Sequence, residues 1–171
     1  MLLPMAAIIL AIAPTGTDAF AGSAASQERR PQAMTDRHLA TGTFDVTLTP
    51  TSEAAAAIGS MAIAKTFHGD LEASSVGQML AVRTAVANSA GYVAMERVTG
   101  RLAGRSGSFA LQHSGTMDRG ASSLTVAVVP DSGTGELSGI SGEMEIRVDG
   151  GRHDYVFRYT LPQSEPAGTA R

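Results

Sequence analysis

From Leu39 to Leu161 apolar residues recur at every second position, and the spacing of an amphipathic helix is nearly absent. Phe44, Val46 and Leu48, for example, are separated by single polar residues. Successive side chains of a strand point to opposite faces, so a period of two predicts strands that are buried on one face. The predicted strands are 44–48, 61–75, 78–86, 92–102, 106–117, 124–129, 137–148 and 155–161.

These strands are joined by turns rich in Gly, Asn, Asp and Pro, and no helices are available to support parallel crossovers. The pattern therefore predicts an antiparallel meander folded as a sandwich or closed into a barrel, and closure removes exposed strand edges. With 43% hydrophobic and 17% charged residues, the chain has apolar material for one compact core. We expect an all-β fold, a single antiparallel β-barrel of about eight strands over residues 39–161.

The longest run of alternation predicts one strand over residues 61–75 that bends at Gly69. A turn at Val76-Gly77 would pair it with the next strand and place Leu71 opposite Val82. The 61–75 strand and its partner would then form a hairpin.

Two segments flank the predicted barrel. The chain opens with the apolar run MLLPMAAIILAIA, which is shorter than the roughly 20 residues that span a bilayer, and a small-residue cleavage motif follows at Ala21. This order predicts a signal peptide over 1–21, a flexible lead-in over 22–38 and a periplasmic or secreted protein. Translation from Met34 is the alternative, and it predicts a cytoplasmic protein. Residues 162–171 are expected to be a disordered tail.

Composition and motifs exclude several functions. The 13 basic and 16 acidic residues give a net charge of −3, so nucleic acid is not an expected partner. Without cysteine there is no disulfide, thiolate nucleophile or Cys-ligated metal. The glycine clusters lack a phosphate-loop signature and the serines lack a nucleophile elbow. We expect no cofactor, no metal and no stable membrane insertion of the mature domain.

Lys65 is the only lysine in the chain, and it alternates with Ile63 and Phe67 on the face of the predicted strand that carries apolar side chains. A desolvated lysine could act as a base or pair with a ligand carboxylate. Alternatively its stem packs against apolar neighbours while the ammonium group reaches water.

Glu96 and His113 form a second candidate pair. If a turn spans Ala103-Gly104, Glu96 opposes Leu111 and lies diagonally across from His113 inside the barrel. Burial would raise the pKa of Glu96 whereas His113 would lower it, and such opposing influences suit proton transfer. A loop that is one residue longer or shorter would shift the register and place Arg97 on that face instead. The structural alternative is a buried polar pair that fixes register.

Three long segments resemble a bacterial family catalogued as domain of unknown function 3224, namely KTFHGDLEASSVGQML, GYVAMERVTGRLAGRSGSFALQHSGTM and VVPDSGTGELSGISGEM. The resemblance covers about residues 39–161. It implies an antiparallel barrel similar to allene oxide cyclase and dirigent proteins, which steer reactive intermediates without an organic cofactor. No catalytic residues transfer from those proteins, because none of their motifs matches this sequence.

Three functional hypotheses follow. The first is a barrel that binds a small apolar molecule in its interior, against Phe67, Tyr92, Phe109 and Leu111. The second is a cofactor-free isomerase or cyclase that uses Glu96 with His113 or Lys65. The third is a structural, oligomer-forming barrel with a filled core. Homo-oligomer formation is a further candidate property, and the sequence leaves open both this property and whether the protein is an enzyme.

Overall fold

A computed structural model describes residues 36–53 and 56–162, and the regular elements of these residues are all strands. The strands are β1 (Asp36–Pro50), β2 (Gly59–Gly69), β3 (Leu71–Arg83), β4 (Ala90–Leu102), β5 (Arg105–Asp118), β6 (Ala121–Val128), β7 (Thr134–Gly135), β8 (Ser141–Asp149) and β9 (Arg152–Leu161). The first strand thus begins three residues before Leu39.

Eight of these strands close into a barrel. They follow the order β4-β3-β2-β1-β9-β8-β6-β5, every neighbouring pair is antiparallel, and a pairing between β4 and β5 completes the ring. The two-residue strand β7 pairs with β5 beside the ring. The predicted all-β antiparallel barrel is therefore confirmed.

The prediction of a single strand over residues 61–75 is wrong. That segment divides between β2 and β3 at a tight connection, where Gly69 has a φ of 103°. Leu71 consequently lies opposite Leu102 of β4, not Val82. Phe67 pairs with Ala73, so an odd number of residues separates the partners. Interior side chains therefore occupy odd-numbered positions on both sides of the connection, and the alternation resembles that of one uninterrupted strand.

The turn at Ala103-Gly104 forms as predicted. Both residues have positive φ, 49° and 83°, which matches the mirror-image two-residue turn of a β-hairpin. Glu96 accordingly pairs with Leu111, and Arg97 lies on the outer face. The alternative register is excluded.

One end of the barrel is closed by packed side chains. Its apolar residues are almost completely buried, and some of them come from the segment 129–140 that connects β6 to β8. These closing residues, which we call the sealed end, are Leu71, Leu102, Leu137, Ile140 and Leu161. Above them an aromatic core includes the stacked rings of Phe109 and Phe157, whose centroids lie 5.7 Å apart. This half of the interior is filled.

The opposite end is less covered, although its side chains also face inward. Leu48 pairs with Ile63 and Leu124 pairs with Gly115, yet the two leucines are 44% and 37% exposed. Other interior-facing residues at this level are half-buried. This rim, which we call the open end, consists of Leu48, Met61, Tyr92, Met117 and Leu124.

The outer wall carries an unusual concentration of exposed apolar side chains on β3 and β4. Val76 is 67% exposed, and Leu80 and Val93 are cross-strand partners. A one-sided sheet normally presents polar residues to solvent. Homo-oligomer formation remains a prediction.

The predicted signal peptide, the alternative start at Met34 and residues 163–171 of the predicted tail lie outside the described residues. Within residues 36–53 and 56–162 there is no helix of the length and apolarity needed to cross a bilayer.

Candidate functional site

Four polar side chains meet inside the barrel, halfway between its ends. They are Lys65 of β2, Ser75 of β3, Glu96 of β4 and His113 of β5, and each is at most 9% exposed. We call them the interior cluster. They are the buried polar and charged side chains among the described residues.

The strand register explains why these residues meet. Lys65 and Ser75 are direct cross-strand partners. Glu96 lies opposite Gly77, two positions from Ser75 on the same face of β3, and His113 lies opposite Ala94. Four neighbouring strands therefore each supply one interior side chain at nearly the same height.

Gly77 leaves the space that the Glu96 side chain occupies. A Cβ atom at Gly77 would lie 2.9 Å from both Cα and Cγ of Glu96, and closer still to the carbonyl oxygen of Met95. Such contacts are far inside van der Waals distance, so a side chain at this position and the present path of Glu96 exclude each other.

Both oxygens of Glu96 are engaged. Oε1 lies 2.5 Å from Lys65 Nζ and 2.7 Å from His113 Nε2, while Oε2 accepts a hydrogen bond of 2.5 Å from Ser75 Oγ. The side chain of Glu96 has 0% exposure. His113 Nε2 is close to Oε1 but is not aligned for a hydrogen bond, so this contact is mainly electrostatic. The buried negative charge of the carboxylate is thus stabilised by the ammonium group of Lys65 at Oε1 and by the hydroxyl group of Ser75 at Oε2.

The pKa of Glu96 reflects this environment. Burial alone would raise the pKa of the carboxyl group, but the close contact with His113 and the charge of Lys65 outweigh burial and lower the pKa from 4.5 to about 2. Glu96 is therefore anionic at neutral pH and is a poor proton donor or acceptor there. Burial, together with the negative charge of Glu96, raises the pKa of Tyr92.

We expect acid to remove part of the stabilisation that Glu96 provides. Because the pKa of Glu96 is lower in the folded chain, this contribution is complete above about pH 4.5 and is lost as the pH falls toward the folded-state pKa of about 2. The stability difference between wild type and Glu96→Gln should therefore narrow by roughly 2 kcal/mol between about pH 5 and pH 3. Urea unfolding followed by circular dichroism measures this difference, and a constant gap would contradict the assignment.

The ammonium group of Lys65 contacts Glu96 instead of reaching water. Its ammonium group lies 4.8 Å from the ring centroid of Phe44 and 6.0 Å from that of Phe67, and its side chain is 7% exposed. The expectation that the ammonium group reaches solvent is therefore wrong. The aromatic faces add a favourable interaction with the cation on the side of the packed core.

The predicted ligand-lining residues fall into two groups. Tyr92 is half-buried and lies toward the open end, whereas Phe67, Phe109 and Leu111 are at most 2% exposed and belong to the packed core. Apart from Tyr92, the apolar wall between the interior cluster and the open end was missed by the sequence analysis as a candidate binding surface. It consists of Ile63, Met79 and Ala94, with Val46, Met61 and Tyr92 packed against them.

Ser75 was also missed as a site residue. The feature that could have identified it is a hydroxyl side chain at an odd-numbered position, in alternation with the interior residues Leu71 and Met79. A polar residue at such a position requires a hydrogen-bond partner inside the barrel.

A separate open depression lies on the wall between β1, β8 and β9. It has a volume of about 530 Å³, and Arg37, Leu39, Glu143 and Arg158 are among its lining residues. Arg158 is already paired with Glu145, at 2.6 Å. The depression does not include the interior cluster.

The fold and the site together define a small antiparallel β-barrel protein with a charged cluster in its interior. Residues 40–159 match the family described as protein of unknown function, DUF3224, and the chain belongs to that family. Its structure is similar to a crystal structure of a DUF3224 protein of unknown function from Shewanella oneidensis MR-1. The two sequences are 49% identical, the TM-score is 0.70, and the match covers 77% of this chain and 100% of the other. A comparison with curated proteins finds no match.

Proposed function

We propose that the barrel binds a small apolar molecule in the half of its interior that faces the open end. The observation that carries this proposal is the contrast between the two ends: interior residues are packed at the sealed end, whereas Leu48 and Leu124 are 44% and 37% exposed at the open end. Small-molecule sites combine apolar walls with a few polar groups that fix orientation. The wall formed by Ile63, Met79 and Ala94 and the interior cluster beneath it provide both.

Titration with an uncharged apolar fluorophore, N-phenyl-1-naphthylamine, tests the proposal. Ala94→Phe fills the apolar wall, so we expect it to weaken binding by about tenfold, a loss of about 1.4 kcal/mol. Val93→Phe is the matched control, because Val93 is the next residue of β4, points outward and is 54% exposed. It should leave the affinity unchanged.

Met61→Trp provides a second variant at the half-buried rim, in case Ala94→Phe disturbs folding. It should also weaken binding, because it narrows the open end. The proposal fails if the wild-type protein does not bind the fluorophore, or if both interior variants bind it as tightly as wild type does.

A cofactor-free isomerase or cyclase is the second candidate, and the contact between His113 and Glu96 favours it. His113 Nε2 lies 2.7 Å from the Glu96 carboxylate, and an imidazole beside a carboxylate is a group that can accept and return a proton. Glu96 would then be a positioning residue, because its pKa of about 2 is too low for exchange near neutral pH. The proton-transferring group of this candidate is His113.

Exchange of α-protons of an apolar ketone such as 2-octanone in D₂O, followed by NMR, tests this second candidate. The wild-type protein should accelerate exchange and His113→Gln should abolish the acceleration. His68→Gln is the control, because His68 lies on the outer face of β2 with a side chain that is 54% exposed. Equal exchange with wild type and with His113→Gln would refute the role of His113.

A further inference from the structure

The interior cluster contains more basic groups than acidic ones. Among interior-facing residues whose side chains are described, Glu96 is the only carboxylate, whereas Lys65 and His113 both contact it. His153 also faces the interior from β9, where its ring stacks on Phe44 with centroids 4.9 Å apart. When His113 is protonated, the cluster of Lys65, Glu96 and His113 carries a net positive charge.

The donors of this cluster outnumber the acceptors that Glu96 offers. A lysine ammonium group has three N–H donors and a protonated imidazole has two. Glu96 Oε1 accepts from Lys65, His113 Nε2 is not aligned for a hydrogen bond with that oxygen, and Oε2 already accepts from Ser75. An additional anion would satisfy the remaining donors and neutralise the buried charge, whereas a cationic group would be repelled by Lys65.

We propose that the ligand is an amphipathic monoanion, an apolar chain with one carboxylate-like head group, and that its binding is coupled to uptake of a proton by His113. This inference rests on the proposed function, because it requires a molecule in the open half of the barrel. The apolar chain packs against Ile63, Met79 and Ala94. The head group meets Lys65 and His113, and the buried charges then sum to zero.

Charged groups face His113 from two strands of the barrel. Glu96 faces it from β4 and Lys65 from β2, with Tyr92 nearby on β4, and its partner on β6 is the uncharged Val126. Imidazole is the side chain that ordinarily changes charge between about pH 5 and 8. Glu96 remains anionic throughout that interval, since its pKa is about 2.

Isothermal titration calorimetry with octanoate, 1-octanol and octylamine tests the inference. At about pH 6 we expect octanoate to bind at least tenfold more tightly than 1-octanol and octylamine to bind most weakly. The affinity for octanoate should fall by about tenfold between about pH 6 and pH 8. Titrations near neutral pH in phosphate and in Tris, which have different enthalpies of ionisation, should show net proton uptake.

His113→Gln keeps an amide donor but cannot gain a proton, so the pH dependence and the proton uptake should disappear. His68→Gln makes the same substitution on the outer face, where His68 Nε2 lies 3.1 Å from Asp45, and should leave both unchanged. If His113→Gln does not fold, proton uptake by the wild-type protein decides the question.

The possible outcomes separate the two proposals. Equal, pH-independent binding of octanoate and 1-octanol overturns the anion inference and leaves the proposed function intact. Tighter binding of octylamine, or pH dependence that survives in His113→Gln, also overturns it. Failure of all three ligands and of the uncharged fluorophore to bind overturns both proposals.

Discussion

Replacing Glu96 with leucine is expected to lower the free energy of unfolding by about 3 to 5 kcal/mol, because removal of one member of a buried ion pair leaves the other charge unpaired. Lys65 would keep its charge in a site where its side chain is 7% exposed, and the Ser75 hydroxyl would lose its acceptor. Chemical denaturation followed by circular dichroism measures the loss.

Two further variants show whether the unpaired charge is responsible. Glu145→Leu removes a carboxylate from an exposed pair with Arg158, so it should cost less than about 1 kcal/mol. Lys65→Met combined with Glu96→Leu should recover most of the stability, because an apolar pair replaces the ion pair. Equal losses for Glu96→Leu and Glu145→Leu, or no recovery in the double variant, would contradict this account.

Gly77→Ala is expected to destabilise the protein by about 3 kcal/mol or to prevent folding, at the upper end of what overpacking costs. The added methyl group would meet Glu96 Cα and Cγ at 2.9 Å and the Met95 carbonyl oxygen at a shorter distance. Two of these three atoms belong to the backbone of β4, so a rotamer change cannot remove the clash. Either β3 and β4 separate or Glu96 leaves the cluster.

Gly91→Ala is the matched control on the neighbouring strand. Among the described residues, the only atom within 4 Å of its added Cβ would be the Gly115 carbonyl oxygen at 3.8 Å, an ordinary contact. This variant should be neutral, or more stable by roughly 0.5 kcal/mol, because alanine restricts the unfolded chain. Similar behaviour of the two alanine variants in thermal unfolding would show that β3 and β4 accommodate the extra methyl group.

The inward and outward faces of most strands were predictable from the sequence, because alternation is set by the pleat and does not depend on tertiary contacts. The pairing of Glu96 with Leu111 was equally predictable, since a two-residue turn at Ala103-Gly104 fixes the register locally. Local chemistry therefore placed Glu96 and His113 on one face.

The contact between Lys65 and Glu96 was not predictable in the same way. It depends on the connection at Gly69. Because an odd number of residues separates Phe67 from Ala73, interior side chains stay at odd-numbered positions on both sides, and the alternation does not reveal the turn. With the hairpin assigned at Val76-Gly77, Lys65 has no defined neighbour on β4. The role of Gly77 in leaving space for the Glu96 side chain follows only from the pairing of β3 with β4, which the assigned hairpin did not predict.

The sealed end also limits the route by which a molecule could enter and leave the interior. Among the described residues, Leu137 and Ile140 are 1% exposed and block one way out, so a molecule that enters past Tyr92 must return along the same route. A bound molecule cannot leave through the sealed end ahead of an incoming one. In the proposed site, guests therefore exchange one at a time.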